Sequence, residues 1–565
     1  MGLTIIEGVK DRLAQAVKSA CDSAVADGVF GSIPPELAIC FEVPREKAFG
    51  DYSTNYAMQL AKPLRKSPRE IASVICERMH TENLLEKCEV AGAGFINFYL
   101  DKSYLYPVLE QIEREQGNYG KSDMGGHKKY MVEFVSANPT GPMHMGNARG
   151  GALGDCLAEL LSWAGYDVTR EFYINDAGNQ IEKFANSLNA RYLQLYRGED
   201  AVAFPEDGYQ GDDIRAHAAA FAEIYGNKYL DCSEAERKEA LVHYALEKNI
   251  DNLREDLEKY RIHFDVWFRE STLHNNGEVA ETIALLKASG HTYEQDGALW
   301  FRTTDFGEEK DDVLIRANGI PTYFAADIAY HRNKIVKRGF DKAIDIWGAD
   351  HYGHVARMKH ALAAVGADPD KLDIIVMQLV RLMQDGEIVR MSKRTGKAVT
   401  LSDLLEDTSI DAARFFFNIR QADSHMVFDL DLAVAESSEN PVYYVQYAHA
   451  RMCSILSLLK EDGICVRPAA ELDFSVLCEQ QEIELLKKLA ELPDDIKTAA
   501  KLYEPSRLTR YCVDLAAAFH TFYNACQVRQ ENRALMEARL KLVDSTRIVL
   551  GNVLRMLSID APERM

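Results

Sequence analysis

Tyr130-Met131-Val132-Glu133-Phe134-Val135-Ser136-Ala137-Asn138-Pro139-Thr140-Gly141-Pro142-Met143-His144-Met145-Gly146-Asn147 is the stretch on which the reading of the fold turns. Its first six residues form a short, mostly apolar run. Ser136 to Pro142 then supply residues that end strands and make loops. From Asn147 to Ala164, leucines 153, 157, 160 and 161 share one face, which predicts a helix stopped by Gly165. Asp167 to Ile174 predicts the next strand. The result is a βαβ unit whose loop lies at the carboxyl end of its first strand, where open α/β sheets bind nucleotides.

The loop carries suitable chemistry. Gly146 lacks a Cβ, so a ligand can approach the backbone there. The helix start offers unpaired N–H groups that suit phosphate. His144 and Asn147, three residues apart, can both donate to phosphate oxygens. A second stretch, Gly386-Glu387-Ile388-Val389-Arg390-Met391-Ser392-Lys393-Arg394-Thr395-Gly396-Lys397, holds four cations within eight residues, with glycines at 386 and 396. Such a loop can close over a polyphosphate. Taken alone, the first stretch is more often a structural histidine and the second a solvated basic loop. A third segment, Gly348-Ala349-Asp350-His351-Tyr352-Gly353-His354, puts a carboxylate at a strand end, where it can accept from ribose hydroxyls or simply cap a helix.

Further out, residues 1–115 mix amphipathic helices with one short strand, Phe95 to Leu100. The glycine-rich Gly117 to Lys129 reads as a linker. Residues about 183–300 read as a polar, helical insertion. The α/β pattern returns with Ala343 to Trp347, a helix from about His351 to Val365, and Asp373 to Gln378. Residues 441–565 read as helical throughout. Three regions follow: 1–115, 116–440 with the insertion, and 441–565.

Composition narrows the class. No run of about 18 apolar residues would cross a bilayer. The N-terminus lacks a secretory leader, and no Ser or Thr stands at position 6 for myristoylation, so a cytoplasmic protein is expected. The 11 cysteines form no C-x-x-C pair, so neither a zinc knuckle nor a disulfide framework is expected. The net charge is −22, yet residues 441–565 hold 16 Lys and Arg against 17 Asp and Glu. An acidic body with a near-neutral helical end is compatible with RNA binding in selected grooves.

Two carboxylates stand in apolar surroundings. Glu133 lies inside the first strand, and Asp327 lies in Pro321 to Tyr330, one helical turn from Tyr323. Two acids and a phenol facing one pocket suit a guanidinium, whose planar fork pairs with carboxylates. Glu133 is as readily explained by an internal Arg or Lys, and Asp327 by a surface position.

In this order, the stretches resemble the HIGH and KMSKS motifs of class I aminoacyl-tRNA synthetases. His144-Met145-Gly146-Asn147 departs from the first at its second and last positions, and Arg390-Met391-Ser392-Lys393-Arg394 from the second at its first and last. Gly348, Asp350 and His354 resemble the G-x-D-x-x-x-H segment that these enzymes place against the ATP ribose. Among class I families the arginyl members are the match. Glu133, Ser136, Asn138, Tyr323 and Asp327 correspond to their arginine pocket, and Asn175-Asp176-Ala177-Gly178-Asn179-Gln180 to a segment typical of them. Ala349 replaces a glutamine that some members carry.

The resemblance implies a Rossmann-type parallel-sheet α/β catalytic domain with a helical insertion. An N-terminal α+β domain contacting the tRNA elbow and a C-terminal all-helical anticodon-binding bundle would flank it. It implies activation of L-arginine by ATP with Mg²⁺, transfer to tRNA(Arg), no tightly bound metal, no membrane partner and a monomer. His144, Gly146, Asn147, Met391, Ser392 and Lys393 would hold ATP, with Arg390 and Arg394 sharing phosphate contacts. Tyr447 and the Tyr511 neighbourhood would face tRNA. Three rivals stay open here: a cysteinyl enzyme with catalytic zinc, a nucleotidylyltransferase with the same first motif, and a non-catalytic tRNA-binding paralogue.

Overall fold

Lys129–Glu133, Asp167–Ile174, Val266–Arg269, Lys342–Gly348 and Leu372–Met377 build the central sheet. The computed structural model describes residues 3–79, 84–389 and 399–565. All four strand pairings are parallel, and the spatial order is fifth, fourth, first, second, third in chain order. The order reverses between the first and fourth strands, which leaves a crevice beyond their carboxyl ends.

Side chains alternate across the sheet with period two. Val132, Phe134, Phe172 and Ile344 share a core with Leu157, Leu160 and Leu161 of the helix Met145–Trp163. Tyr173, Ala343 and Leu372 pack on the opposite side with the helices Tyr323–Arg332 and Val355–Ala364. Cover on both faces makes the strands read as apolar runs, so a charge inside one stands out.

Residues 183–300 differ from the helical expectation. They do hold the helices Asp212–Tyr225 and Glu234–Lys259, but also the third strand of the central sheet, Val266–Arg269. A hairpin, Thr292–Gln295 with Ala298–Phe301, starts a separate sheet that Asp312–Ile315 completes. Four-residue strands carry too little alternation to register in a sequence pattern.

The N-terminal region packs the helices Ile5–Ala26, Tyr56–Leu64 and Pro68–Arg78 with an antiparallel sheet. Phe95–Leu100 is its central strand, between Tyr52–Thr54 and Leu85–Ala91. The last strand carries Glu86, Lys87 and Glu89, which hide it from an apolar search. This region sits on the helix Gln480–Leu502, where Lys487 donates to Asp51 (2.5 Å) and Lys497 to Glu7 (2.7 Å). Residues 441–565 hold the helices Pro441–Glu461, Gln480–Leu502, Ser506–Ala525 and Arg533–Met556. Among the described residues no helix is long and apolar enough to cross a membrane.

Gly154 sets the distance between helix Met145–Trp163 and the sheet, because a Cβ there would overlap the Phe134 ring. Gly154→Ala is expected to lower the stability of the catalytic region by about 1–3 kcal/mol, the usual cost of overpacking, despite the better helix propensity of alanine. Thermal or urea unfolding of the two proteins side by side measures this.

Candidate active site

The first strand ends in a strained turn. Ser136 N–H donates to Phe134 C=O (2.9 Å), closing a three-residue turn around Val135 at φ 68°. Ser136 follows at φ 40°. A β-branched residue at positive φ is rare and costs on the order of 1–3 kcal/mol, and such strain gathers at functional sites. The turn directs the chain through exposed Asn138 to the start of helix Met145–Trp163.

At that helix start His144 has extended backbone, and its N–H donates to Asn147 Oδ1 (3.2 Å). The Asn147 oxygen is thereby used on its own turn, which leaves the NH₂ end to donate outward. Met145 N–H donates to Val399 C=O, and Leu401 N–H to Met143 C=O, both at 3.0 Å. His144 and Thr400 form an antiparallel bridge. The fold thus joins the first motif to the chain that follows the basic loop. His144, Met145, Gly146, Arg381, Val389 and Val399 line a cavity of about 560 Å³. A Cβ on Gly146 would meet nothing within 4 Å. Arg390, Met391, Ser392, Lys393 and Arg394 lie outside the described residues.

Across the crevice, Gly348 ends its strand so tightly that a Cβ would stand 2.6 Å from Asp350 Oδ1. Asp350 is exposed in the 3₁₀ turn Ala349–His354. His354 ends that turn against the rings of Trp347 and Phe324, with Nε2 3.4 Å from Asp327 Oδ2. The sequence reading put His354 beside ATP, whereas the structure sets it beside Asp327.

A second cavity, of about 680 Å³, lies between helix Tyr323–Arg332 and the segment after the second strand. Its lining includes Gly178, Glu182, Glu270, His274, Arg316 and Tyr323. Tyr323 Oη is buried and has no hydrogen-bond partner among the described residues. A Cβ on Gly178 would press on that hydroxyl at 3.1 Å. Asp327 stands one turn further along the helix.

Glu270 lines this cavity and was not singled out in the sequence. It is 3% exposed and accepts from Tyr173 Oη (2.9 Å). His274 Nε2 lies at 3.4 Å, and the Asn175 amide, turned to satisfy both of its ends, donates from 3.2 Å. Burial pushes its carboxyl above the usual range; the bonds from Tyr173 and His274 oppose that, and the charge of Asp327 adds to it. The available signal was an acid closing a strand of aromatic residues, hidden because that strand was read as helix.

Glu133 is not a free carboxylate. Oε1 accepts from Ser136 Oγ (2.8 Å), and Oε2 from Lys334 Nζ (2.5 Å). Ser136 Oγ also accepts from Tyr173 N–H (3.2 Å). Burial pushes Glu133 up and Lys334 opposes it. Burial would also raise Asp345, but Lys334 and His331 hold it below its ordinary value.

In the helical end, Tyr447 is 39% exposed and stacks near Tyr443 and His520. Arg451 donates to Tyr523 Oη (3.1 Å), and these residues line a groove with Met565. Tyr511 is a core ring instead: 1% exposed, with its hydroxyl donating to Lys488 C=O (2.7 Å). It offers no face to a base.

Comparison with known proteins covers the whole chain. Residues 109–451 match the family described as tRNA synthetases class I (R), catalytic domain. Residues 8–100 match the arginyl tRNA synthetase N terminal domain, and 445–565 the DALR anticodon binding domain. The arginine–tRNA ligase of Acetivibrio thermocellus is 57% identical over 562 residues, spanning 99% of this chain and 100% of that one. That of Ruminiclostridium cellulolyticum is 56% identical over 564 residues, with 99% and 100% covered. A Campylobacter jejuni crystal structure superposes with a TM-score of 0.75 at 33% identity, covering 82% of this chain and 100% of that one. The Thermus thermophilus arginyl-tRNA synthetase superposes at 0.73 and 24% identity over 98% and 100%, a likeness of fold.

Proposed function

This chain belongs to the arginyl-tRNA synthetase family and is an arginine–tRNA ligase, and from that premise we propose how its residues divide the work. L-Arginine is activated by ATP with release of pyrophosphate and then esterified to tRNA. The observation that carries the substrate assignment is a cavity lined by Glu270 and Tyr323, whose hydroxyl is unpartnered, with Asp327 near enough for its charge to act on Glu270. A guanidinium between two carboxylates satisfies all three groups. Ser136 and Asn138, assigned from sequence, contribute the other side, and Glu133 accepts from Ser136 Oγ.

ATP occupies the cleft at the start of helix Met145–Trp163, with His144 and Asn147 donating to phosphate oxygens and Asp350 within reach of the ribose. Mg²⁺ enters as the ATP complex. An oxygen of the arginine carboxylate attacks the α-phosphorus, and the bond to pyrophosphate breaks. Catalysis rests on positioning and on neutralising the charge of the leaving group. Arg390, Lys393 and Arg394, assigned from sequence, supply that neutralisation. The terminal adenosine hydroxyl of tRNA(Arg) then attacks the activated carbonyl and AMP leaves. Tyr447, Arg451 and Tyr523 present rings and a cation to the tRNA bases. The family assignment removes the cysteinyl and nucleotidylyltransferase readings.

Asp327→Asn is expected to raise the KM for arginine about 30-fold or more, as losing a charged partner costs ~2 kcal/mol. An unchanged arginine KM in aminoacylation rejects this pocket. Lys393→Ala is expected to slow ATP–pyrophosphate exchange, measured with tRNA present, by on the order of 100-fold while arginine affinity holds. Equal losses in both would remove Lys393 from the assigned role. The raised carboxyl of Glu270 sets a pH dependence. Below its pKa the group is protonated and cannot pair with a guanidinium. The arginine KM therefore falls as pH rises through that pKa and then levels off. Glu270→Gln flattens the profile, and a slope that survives this change assigns the titration elsewhere.

A further inference from the structure

Five side chains and one carbonyl form an unbroken hydrogen-bonded chain of which the activity above uses only Ser136 and Glu133. Ser136 Oγ donates to Glu133 Oε1 (2.8 Å), and Lys334 Nζ to Glu133 Oε2 (2.5 Å). Lys334 also donates to both oxygens of Asp345 (2.8 and 2.9 Å). His331 Nε2 lies 2.7 Å from Asp345 Oδ2, and His331 Nδ1 2.7 Å from the carbonyl of Asp327. The chain begins at the turn after the first strand and ends on the helix that carries Tyr323 and Asp327. We propose that Lys334 is a positioning residue for arginine, holding the Ser136 turn and the Asp327 helix at the separation the substrate needs. The proposal rests on the pocket assignment above.

Several features point the same way. Lys334 is 0% exposed, and its ammonium lies 4.2 Å from the centre of the Tyr330 ring. Glu133 and Asp345 are register partners on adjacent strands at the point where strand order reverses. Like charges placed so would repel, and the ammonium between them removes that repulsion. It enters from a π-helical turn, Asn333–Lys337, that directly follows the helix bearing Tyr323 and Asp327. Such turns recur at functional sites. Through Glu133 and Asp345 this one cation links the Ser136 turn to the helix that bears Tyr323.

Steady-state aminoacylation of tRNA(Arg) by the full-length enzyme tests this, with arginine and ATP varied separately. Lys334→Met is expected to raise the arginine KM by on the order of 100-fold, the scale of an ångström-sized misplacement, with the ATP KM within about twofold. Should that variant not fold, Glu133→Gln carries the test. It keeps an acceptor for Ser136, weakens the link to Lys334 and is expected to shift the arginine KM in the same direction. Combined with Ser136→Ala, which cuts the same chain, its effect is less than additive. Equal rises in both KM values, or strictly additive effects, would overturn the proposal. Asp327→Asn separates the two claims. If it leaves the arginine KM unchanged, the pocket itself is wrong. If it raises that KM while neither Lys334→Met nor Glu133→Gln does, only the positioning role is lost.

Discussion

One buried ammonium holds the catalytic region's most constrained joint. Asp345, Glu133 and Glu171 stand side by side in register on three neighbouring strands, all on the face covered by helix Tyr323–Arg332. Three carboxylates in an apolar layer are untenable without cations. The covering segment supplies them: Lys334 to Glu133 and Asp345, and Arg338 with the Tyr330 hydroxyl to Glu171. Replacing such a cluster by apolar side chains can be neutral, but removing one partner costs roughly 3–5 kcal/mol because a charge is left uncompensated. The segment is therefore fixed in register as well as in contact. An apolar stripe alone would let it slide.

That register places the outer turn of the helix. Tyr323 and Asp327 lie one turn apart, beside the cavity that Glu270 enters from the helix start that directly follows the third strand. Opposite, the strained turn at Val135 and Ser136 brings the chain to the helix start at His144. The larger cavity lies beyond the carboxyl ends of the second and third strands, and the other beside the start of helix Met145–Trp163. The pairing of Met145 with Val399 ties the phosphate end of the crevice to the chain following the basic loop.

Much of this was legible from residues. The strand Asp167–Ile174 was read with its own limits, and the helix after His144 within two residues at its start. Long elements with clear periodicity announce themselves. Val266–Arg269 did not, because four residues are compatible with either period, and Glu270 was lost with it. Leu85–Ala91 was missed for the opposite reason, since its charges mask a strand exposed on one side. Tyr511 was misjudged because a ring in a helical run reads the same whether it faces solvent or core.

The sequence by itself determined the α/β class, the phosphate-binding helix start, the pairing of the first motif with a basic loop, and the presence of acids where apolar residues belong. These are local properties, set by residue type and spacing. Only the tertiary structure decided which acid does what. Glu133 is engaged by a lysine 201 positions away, and Glu270 lines the cavity 97 positions beyond Tyr173, the residue that donates to it. Charge pairing acts across space with no fixed sequence separation, so the partner that turns a buried carboxylate from substrate ligand into internal support appears only once the chain has folded.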